Sequence, residues 1–306
     1  MNIIGKRYWF FGLSLAIIIP GMIFLAMGGL HPAIDFTGGS LLQLKFTSGQ
    51  APQPASVELA LARLGITGPS VQTVGTDSIA IQAQEMDTTT KDKVAKALSS
   101  EFGAATVTQF ESVGPALGSE VAQRAAGTVA LAALAITLYI TYAFRRVPNA
   151  FRFGIAAVVA MIHDVLVVIG GEAILGHFLG WQADSLFLTA LLTVIGFSVH
   201  DTIVVFDRIR ENELQYKRIP FETIVNHSVV QTLDRSINTS LTVLLTLLAL
   251  AIFGGVTTRH FILILLLGMA SGTYSSIFNA AAILVVWENR EWRTWFRRGP
   301  AQASAA

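Results

Sequence analysis

Residues 185–206 read SLFLTALLTVIGFSVHDTIVVF, and this stretch decides the fold. A helix needs about 20 mostly apolar residues to cross the hydrocarbon core of a bilayer. Only His200 and Asp201 are ionisable within it. Backbone N–H and C=O groups find no water in lipid, so a stretch of this kind closes its hydrogen bonds on itself as a helix. Five further stretches share the character: residues 8–27, 125–144, 153–175, 237–253 and 261–287. The fifth in chain order, 237–253, is short, and its helix is expected to begin upstream, near Arg235.

The composition fits six such spans. Of 306 residues, 53% are hydrophobic and 13% charged, and the mean hydropathy is +0.59. Soluble domains carry about 25% charged residues, so much of this surface faces lipid. A net charge of +1 gives no basis for nucleic-acid binding. The absence of cysteine excludes disulfides, thiolate chemistry and Cys-based metal sites. Lys6 and Arg7 precede the first apolar run as they would in a signal peptide. That run exceeds the usual length of about 7–15 residues, and Met27-Gly28-Gly29 is no clear cleavage site. Residues 1–27 therefore read as an uncleaved first transmembrane helix.

Lys and Arg in short connections set orientation. Fourteen cluster in alternate connections, around residues 6–7, 145–152, 208–235 and 290–298, while the opposite short loops at 176–184 and 254–260 hold only Arg259. Both termini are expected in the cytoplasm and the long 28–124 loop outside. The remaining divisions are residues 125–290, holding helices two to six with a cytoplasmic connection at about 207–236, and a cytoplasmic tail at 291–306.

The 28–124 loop reads as a folded domain. Residues 40–46 (SLLQLKF) alternate apolar and polar, as a half-buried strand does. Residues 55–64 have helical spacing; 71–74 and 78–83 read as strands around a Gly75-Thr76-Asp77 turn. Residues 88–102 space Val94, Leu98 and Phe102 as a helix capped by Thr88 or Thr89, and 106–111 alternate again. The order is β-α-β-β-α-β, the ferredoxin-like arrangement, with a core at about 40–113. A domain of this size suits recognition or mechanical coupling; an inert structural cap is the plainer alternative.

Ionisable groups at membrane depth cost about 2.5–3.5 kcal/mol on insertion scales, and mark paired, hydrated or inward-facing positions. His163-Asp164 lies midway along its span, either as a polar lock between helices or as a proton-handling pair. Asp201 lies about 9 Å inside the water boundary suggested by Asp207-Arg208, and Ser198 precedes it by one turn on the same face. Arg235, Asn238, Thr239 and Thr242 form a stripe at three- and four-residue spacing. Arg235 is either a positive-inside anchor or a group facing other helices. An aspartate opposed by an arginine on the next span makes a candidate proton switch: ionised they attract, protonated they separate. Gly268, Gly272, Ser275, Ser276 and Asn279 read as a close-packing face.

Several of these stretches resemble one family. Asp35-Phe36-Thr37-Gly38-Gly39 resembles the DFTGG signature of the SecD/SecF family of protein-export membrane proteins. Residues 196–212 (GFSVHDTIVVFDRIREN) resemble the pattern GYSxNDTIVVFDRIREN of its SecF branch, with Phe197 for Tyr and His200 for Asn. Residues 235–240 (RSINTS) and His163-Asp164 resemble two further family motifs. The resemblance implies an α-helical polytopic membrane protein in which six transmembrane helices, half of an RND-type bundle, carry one α+β ferredoxin-like extracytoplasmic domain. It implies pairing with SecD, which adds six helices and a further carboxylate, in the cytoplasmic (inner) membrane of a bacterium. It implies work beside the SecYEG channel after the SecA-driven stage, drawing unfolded preprotein outward with the proton-motive force. It assigns Asp201 and Arg235 to proton movement, with His163, Asp164, Ser198, His200, Asn238 and Thr239 as supporting polar groups. His200 puts an ionisable residue type beside Asp201 where the family pattern has a neutral Asn. No cofactor or metal is implied. A small-molecule efflux half-transporter and a non-transporting scaffold are the competing readings. An enzyme is not expected, since no nucleophile–base pair, phosphate loop or metal-ligand spacing is present.

Overall fold

The structure, a computed structural model, describes residues 1–145 and 150–293. Arg146 and the tail beyond Arg293 lie outside the described residues. Six helices among these residues are long and apolar enough to span a membrane: Ile4–Ala26, Pro115–Ala143, Phe151–Leu179, Ser185–Gln215, Phe221–Phe253 and Thr258–Glu288. The chain divides into two compact units.

One unit comprises residues 1–30, 129–177 and 186–306. Its helices are α1 (Arg7–Ala26), most of α5 (Pro115–Ala143), α6 (Phe151–Leu179) and α7 (Ser185–Gln215), with α8 (Phe221–Phe253), α9 (Val256–Tyr274) and α10 (Ala281–Glu288). α6, α7 and α9–α10 are buried over half or more of their apolar length, whereas α1, α5 and α8 are largely exposed. The helices outrun the apolar stretches that announce them. α7 continues to Gln215 and α8 starts at Phe221, so most of the 207–236 connection is helix. Arg208 and Glu211 pair one turn apart, as do Asp207 and Arg210, on this polar extension.

Glycine sets two helix crossings. A Cβ on Gly21 would lie 2.6 Å from the Gly170 Cα, so α1 and α6 touch backbone to backbone. A Cβ on Gly268 would lie 2.2 Å from a Val194 methyl, which seats α9 against α7. The last span is not one continuous α-helix as its composition suggests. A π-helical turn, Ser275–Ala280, separates α9 from α10. Toward the arginine-rich end, Phe144 stacks on Phe153 at 5.1 Å, and Phe206 meets Phe153 edge-on at 5.3 Å.

The second unit comprises residues 31–128 and 178–185. Its strands are β1 (His31–Pro32), β2 (Gly39–Phe46), β3 (Ser70–Val74), β4 (Ser78–Ala83), β5 (Ala105–Val113) and β6 (Gln182–Ala183), with α2 (Ile34–Thr37), α3 (Pro54–Arg63) and α4 (Thr88–Phe102). The run β2-α3-β3-β4-α4-β5 has the expected element order, and its antiparallel sheet is ordered β3-β4-β2-β5. Leu42, Leu44, Ile79 and Ile81 on the sheet meet Val57, Leu61, Val94 and Leu98 from the helices in one buried core. The Gly38-Gly39 pair has a steric cause. Both residues have positive φ (73° and 120°), and a Cβ would lie 2.6 Å from Pro115 at the first and 2.5 Å from the Ala83 carbonyl at the second. Asp35 accepts hydrogen bonds from the Ser185 backbone N–H (2.8 Å) and hydroxyl, while β1 pairs with β6. The motif thus ties the start of the unit to a segment about 150 residues away.

The cap of α4 is Asp87, not Thr88 or Thr89. Its carboxylate accepts from the Thr90 backbone N–H at 2.9 Å, which a β-branched hydroxyl inside the first turn does not reach. Hydrogen bonds from the Thr90 side chain and backbone, then from Thr89, hold the Asp87 carboxyl at about 2. Because the folded value is depressed, the cap is complete above the ordinary aspartate value near 4 and is lost as pH falls toward about 2. Asp87→Ala in the full chain is expected to speed amide exchange in the first turn of α4. The variant's exchange is expected to lack the acid-dependent step below about pH 4.

Candidate polar site of the membrane unit

Asp164 on α6 is 1% exposed and collects donors from three elements. Its carboxylate accepts from Ser198 on α7 (2.5 Å), Ser271 on α9 (2.7 Å) and Ser275 of the π-helical turn (2.7 Å). His163 Nδ1 lies 3.0 Å from the same group, leaving its Nε2 buried without a partner among the described residues. The π turn directs two successive hydroxyls to different targets. Ser275 reaches Asp164, while Ser276 donates to the Ser198 carbonyl (3.0 Å) and meets the Thr202 hydroxyl (2.9 Å). Gly272 keeps the approach open, since a Cβ there would lie 3.2 Å from Ser198 and 3.7 Å from Asp164.

Asp201 follows Ser198 by one turn of α7 and is 2% exposed. Ser240 on α8 donates to its Oδ2 at 3.3 Å, and Thr273 on α9 donates to Ser240 at 2.8 Å. Hydroxyls both donate and accept, so Thr273–Ser240–Asp201 is a short polar line crossing three helices. His200 is exposed on the other side of α7.

Arg235 does not meet Asp201. It is exposed and forms no hydrogen bond or ion pair with any described residue. It lines an open cleft with Asp207, Arg208, Glu211 and Gln231. Asn238, Thr239 and Thr242 are exposed on α8 as well, so the stripe faces away from this unit rather than toward its other helices. The buried face of α8 is Thr232, Ser236 and Ser240, offset by about a third of a turn. Helix phase alone separates the two sets, and the sequence showed both.

Two buried ionic features went unnoticed in the sequence. Glu172, inside the apolar run 153–175, is 1% exposed and lies 2.8 Å from His260. Arg152 is 3% exposed and pairs with Glu213 (2.7 Å) and Glu288. In each case the signal was an ionisable residue within or at the edge of an apolar span, whose partner lay far along the chain.

The family model described as "Protein export membrane protein SecD/SecF, C-terminal" matches residues 93–290, and the "SecD/SecF GG Motif" model matches residues 23–49. The chain belongs to the SecD/SecF family. Its glycine pair at 38–39 lies inside the second match. The "Protein translocase subunit SecF" of Anaerolinea thermophila is 55% identical over 307 residues, covering 100% of both chains. That of Thermobaculum terrenum is 50% identical, covering 100% of this chain and 99% of its own. The crystal structure of SecDF from Thermus thermophilus, described as a translocon-associated membrane protein, superposes with a TM-score of 0.82 at 32% identity. It covers 95% of this chain but only 39% of the SecDF chain. SecD/SecF membership thus accompanies an RND-type membrane fold, and the similar proteins are transport proteins rather than enzymes.

Proposed function

We propose that this chain is an accessory subunit of the Sec protein translocase, working with a SecD half to promote preprotein export with the proton-motive force. Support comes from full-length similarity to SecF subunits and from a SecDF relative in which a chain of this kind is one part of a longer protein. Both termini face the cytoplasm, residues 28–124 face outward, and the membrane is the bacterial inner membrane. The partners are SecD, the SecYEG channel with SecA acting earlier, and unfolded preprotein. The similarities favour this reading over small-molecule efflux.

The observation that carries the mechanism is the contrast between a buried acid and an uncovered base on the next helix. Asp201 is 2% exposed with one serine donor, while Arg235 and the polar stripe of α8 point out of the bundle. Arg235 opens onto the cleft beside Asp207 and Arg208, while Asn238, Thr239 and Thr242 continue the polar stripe along the apolar span, where polar groups need a partner. A partner half or trapped water covers them. A carboxylate from that half, set beside Arg235, completes a site in which protonation of Asp201 changes how α7 and α8 attract. Ser240 then serves as the hinge contact between the two helices.

The test is export into inverted vesicles with and without a proton gradient. Asp201→Asn keeps the shape and the Ser240 contact but carries no proton. It is expected to lower the proton-stimulated part of export by at least about tenfold, within the usual range of coupling between sites. Unchanged stimulation in normally assembled protein overturns the proton role.

A further inference from the structure

Glu172 and His260 lie outside the polar site above. Glu172 is on α6, eight residues from Asp164 and so about 12 Å further along the helix, away from the arginine-rich end. It is buried to 1% exposure, and its Oε1 has no partner among the described residues. Its Oε2 lies 2.8 Å from His260 Nε2 on α9, whose side chain is 21% exposed. A half-open imidazole therefore stands between the surface and a closed carboxylate.

From this geometry we propose that Glu172 and His260 form a proton-loading site at the extracytoplasmic end of the membrane unit. The inference rests on the orientation given under the proposed function. The imidazole takes a proton from the outer side and passes its Nε2 proton across the 2.8 Å contact to Oε2 of Glu172, which leaves Oε1, without a partner among the described residues, to take a second. The two arrangements, imidazolium with carboxylate and imidazole with carboxylic acid, differ only in where one proton sits. A second proton neutralises the acid while the ring keeps its charge, which removes the ionic tie between α6 and α9.

Few other ionisable groups lie on the helices around the pair. On α6 the other ionisable groups are Arg152, His163, Asp164 and His177, and His177 lies against the Phe24 ring of α1 at 5.1 Å. On α9 Arg259 adjoins His260 and is exposed. α1 has no charged residue after Arg7, α7 has none from Ser185 to Val199, and α8 has none from Ser236 onward. The packing transmits a change in the tie. A Cβ on Gly171 would lie 2.3 Å from a Leu267 methyl, so the turn carrying Glu172 is in close contact with α9. One turn beyond Leu267, Ser271 donates to Asp164.

The experiment titrates the full chain, reconstituted with its SecD partner and the SecYEG channel in inverted vesicles supplied with SecA, by infrared difference spectroscopy of carboxyl groups and by export as the lumenal pH is lowered. The parent is expected to show a carboxyl protonation step as the lumenal pH falls. Glu172→Gln keeps the contact with His260 and is expected to remove that step. It is also expected to reduce the gain in export on lumenal acidification by at least about fivefold, the low end of coupling between sites. His260→Gln is expected to shift the step without abolishing it. Identical titrations of parent and Glu172→Gln overturn the inference, as does a step that follows sodium concentration at fixed pH. A step lost in Glu172→Gln without any change in export upholds the site and instead counts against the proton-driven function.

Discussion

Asp164→Leu is expected to destabilise the membrane unit by about 2–4 kcal/mol, whereas Asp164→Asn loses less than half as much. Hydrogen bonds between membrane helices contribute about 0.6 kcal/mol on average, reaching about 1.7. Asp164 gathers Ser198, Ser271, Ser275 and His163. Leucine removes all four contacts and leaves three serine hydroxyls in a space shaped for a carboxylate. Asparagine keeps one carbonyl acceptor and a group of nearly the same size, and serine hydroxyls can turn to accept from its NH₂. Unfolding in mixed micelles, followed through tryptophan fluorescence, measures both variants. A leucine variant within about 0.5 kcal/mol of the parent contradicts the role of Asp164 as the fastener of α6, α7 and α9. The asparagine variant is expected to retain proton-stimulated export. Its loss in folded protein assigns Asp164 to proton handling, the other reading of His163-Asp164.

The comparison between sequence and structure turns on what a linear pattern encodes. Spans are legible because apolar length is a local property, and all six come through. The β-α-β-β-α-β order of the second unit is legible for the same reason, since alternation and helical spacing are read within a few residues. Inward facing of single residues is partly legible: Asp164 and Asp201 are buried inside the unit. Facing is harder. Arg235, Asn238 and Ser240 sit within six residues, yet only Ser240 turns toward Asp201, and the phase of α8 against its neighbours is fixed by packing along its whole length. Pairing across long separations is not legible at all. Glu172 meets a histidine 88 residues away, and Arg152 meets acids 61 and 136 residues away. The π turn also escapes notice, because its sequence, SSIFNA, contains neither proline nor glycine.

A loss of stability of similar size is expected from Arg152→Met. The guanidinium is 3% exposed, grips Glu213 at 2.7 Å and Glu288 with its other nitrogen, and lies 4.5 Å from the Phe221 ring centre. It thereby joins α6 to α7, α10 and the first turn of α8. Removing one partner of a buried ion pair costs about 3–5 kcal/mol, because the acid left behind remains desolvated. Here the value is expected at the low end, about 3 kcal/mol, since Glu288 is 42% exposed and water takes over its charge. The cause of the loss can be separated from simple packing. Arg152→Met combined with Glu213→Gln removes the stranded charge and is expected to recover about half of the deficit. Arg152→Lys is expected to recover little, since an ammonium neither spans two carboxylates in a fixed fork nor stacks flat on Phe221. If the double variant is as unstable as the single one, the deficit lies in side-chain packing and not in the charge. Under the proposed proton loading, the four helices α6, α7, α8 and α10 clasped around Arg152 would hold this end of α6 in place while the Glu172–His260 tie changes at the other.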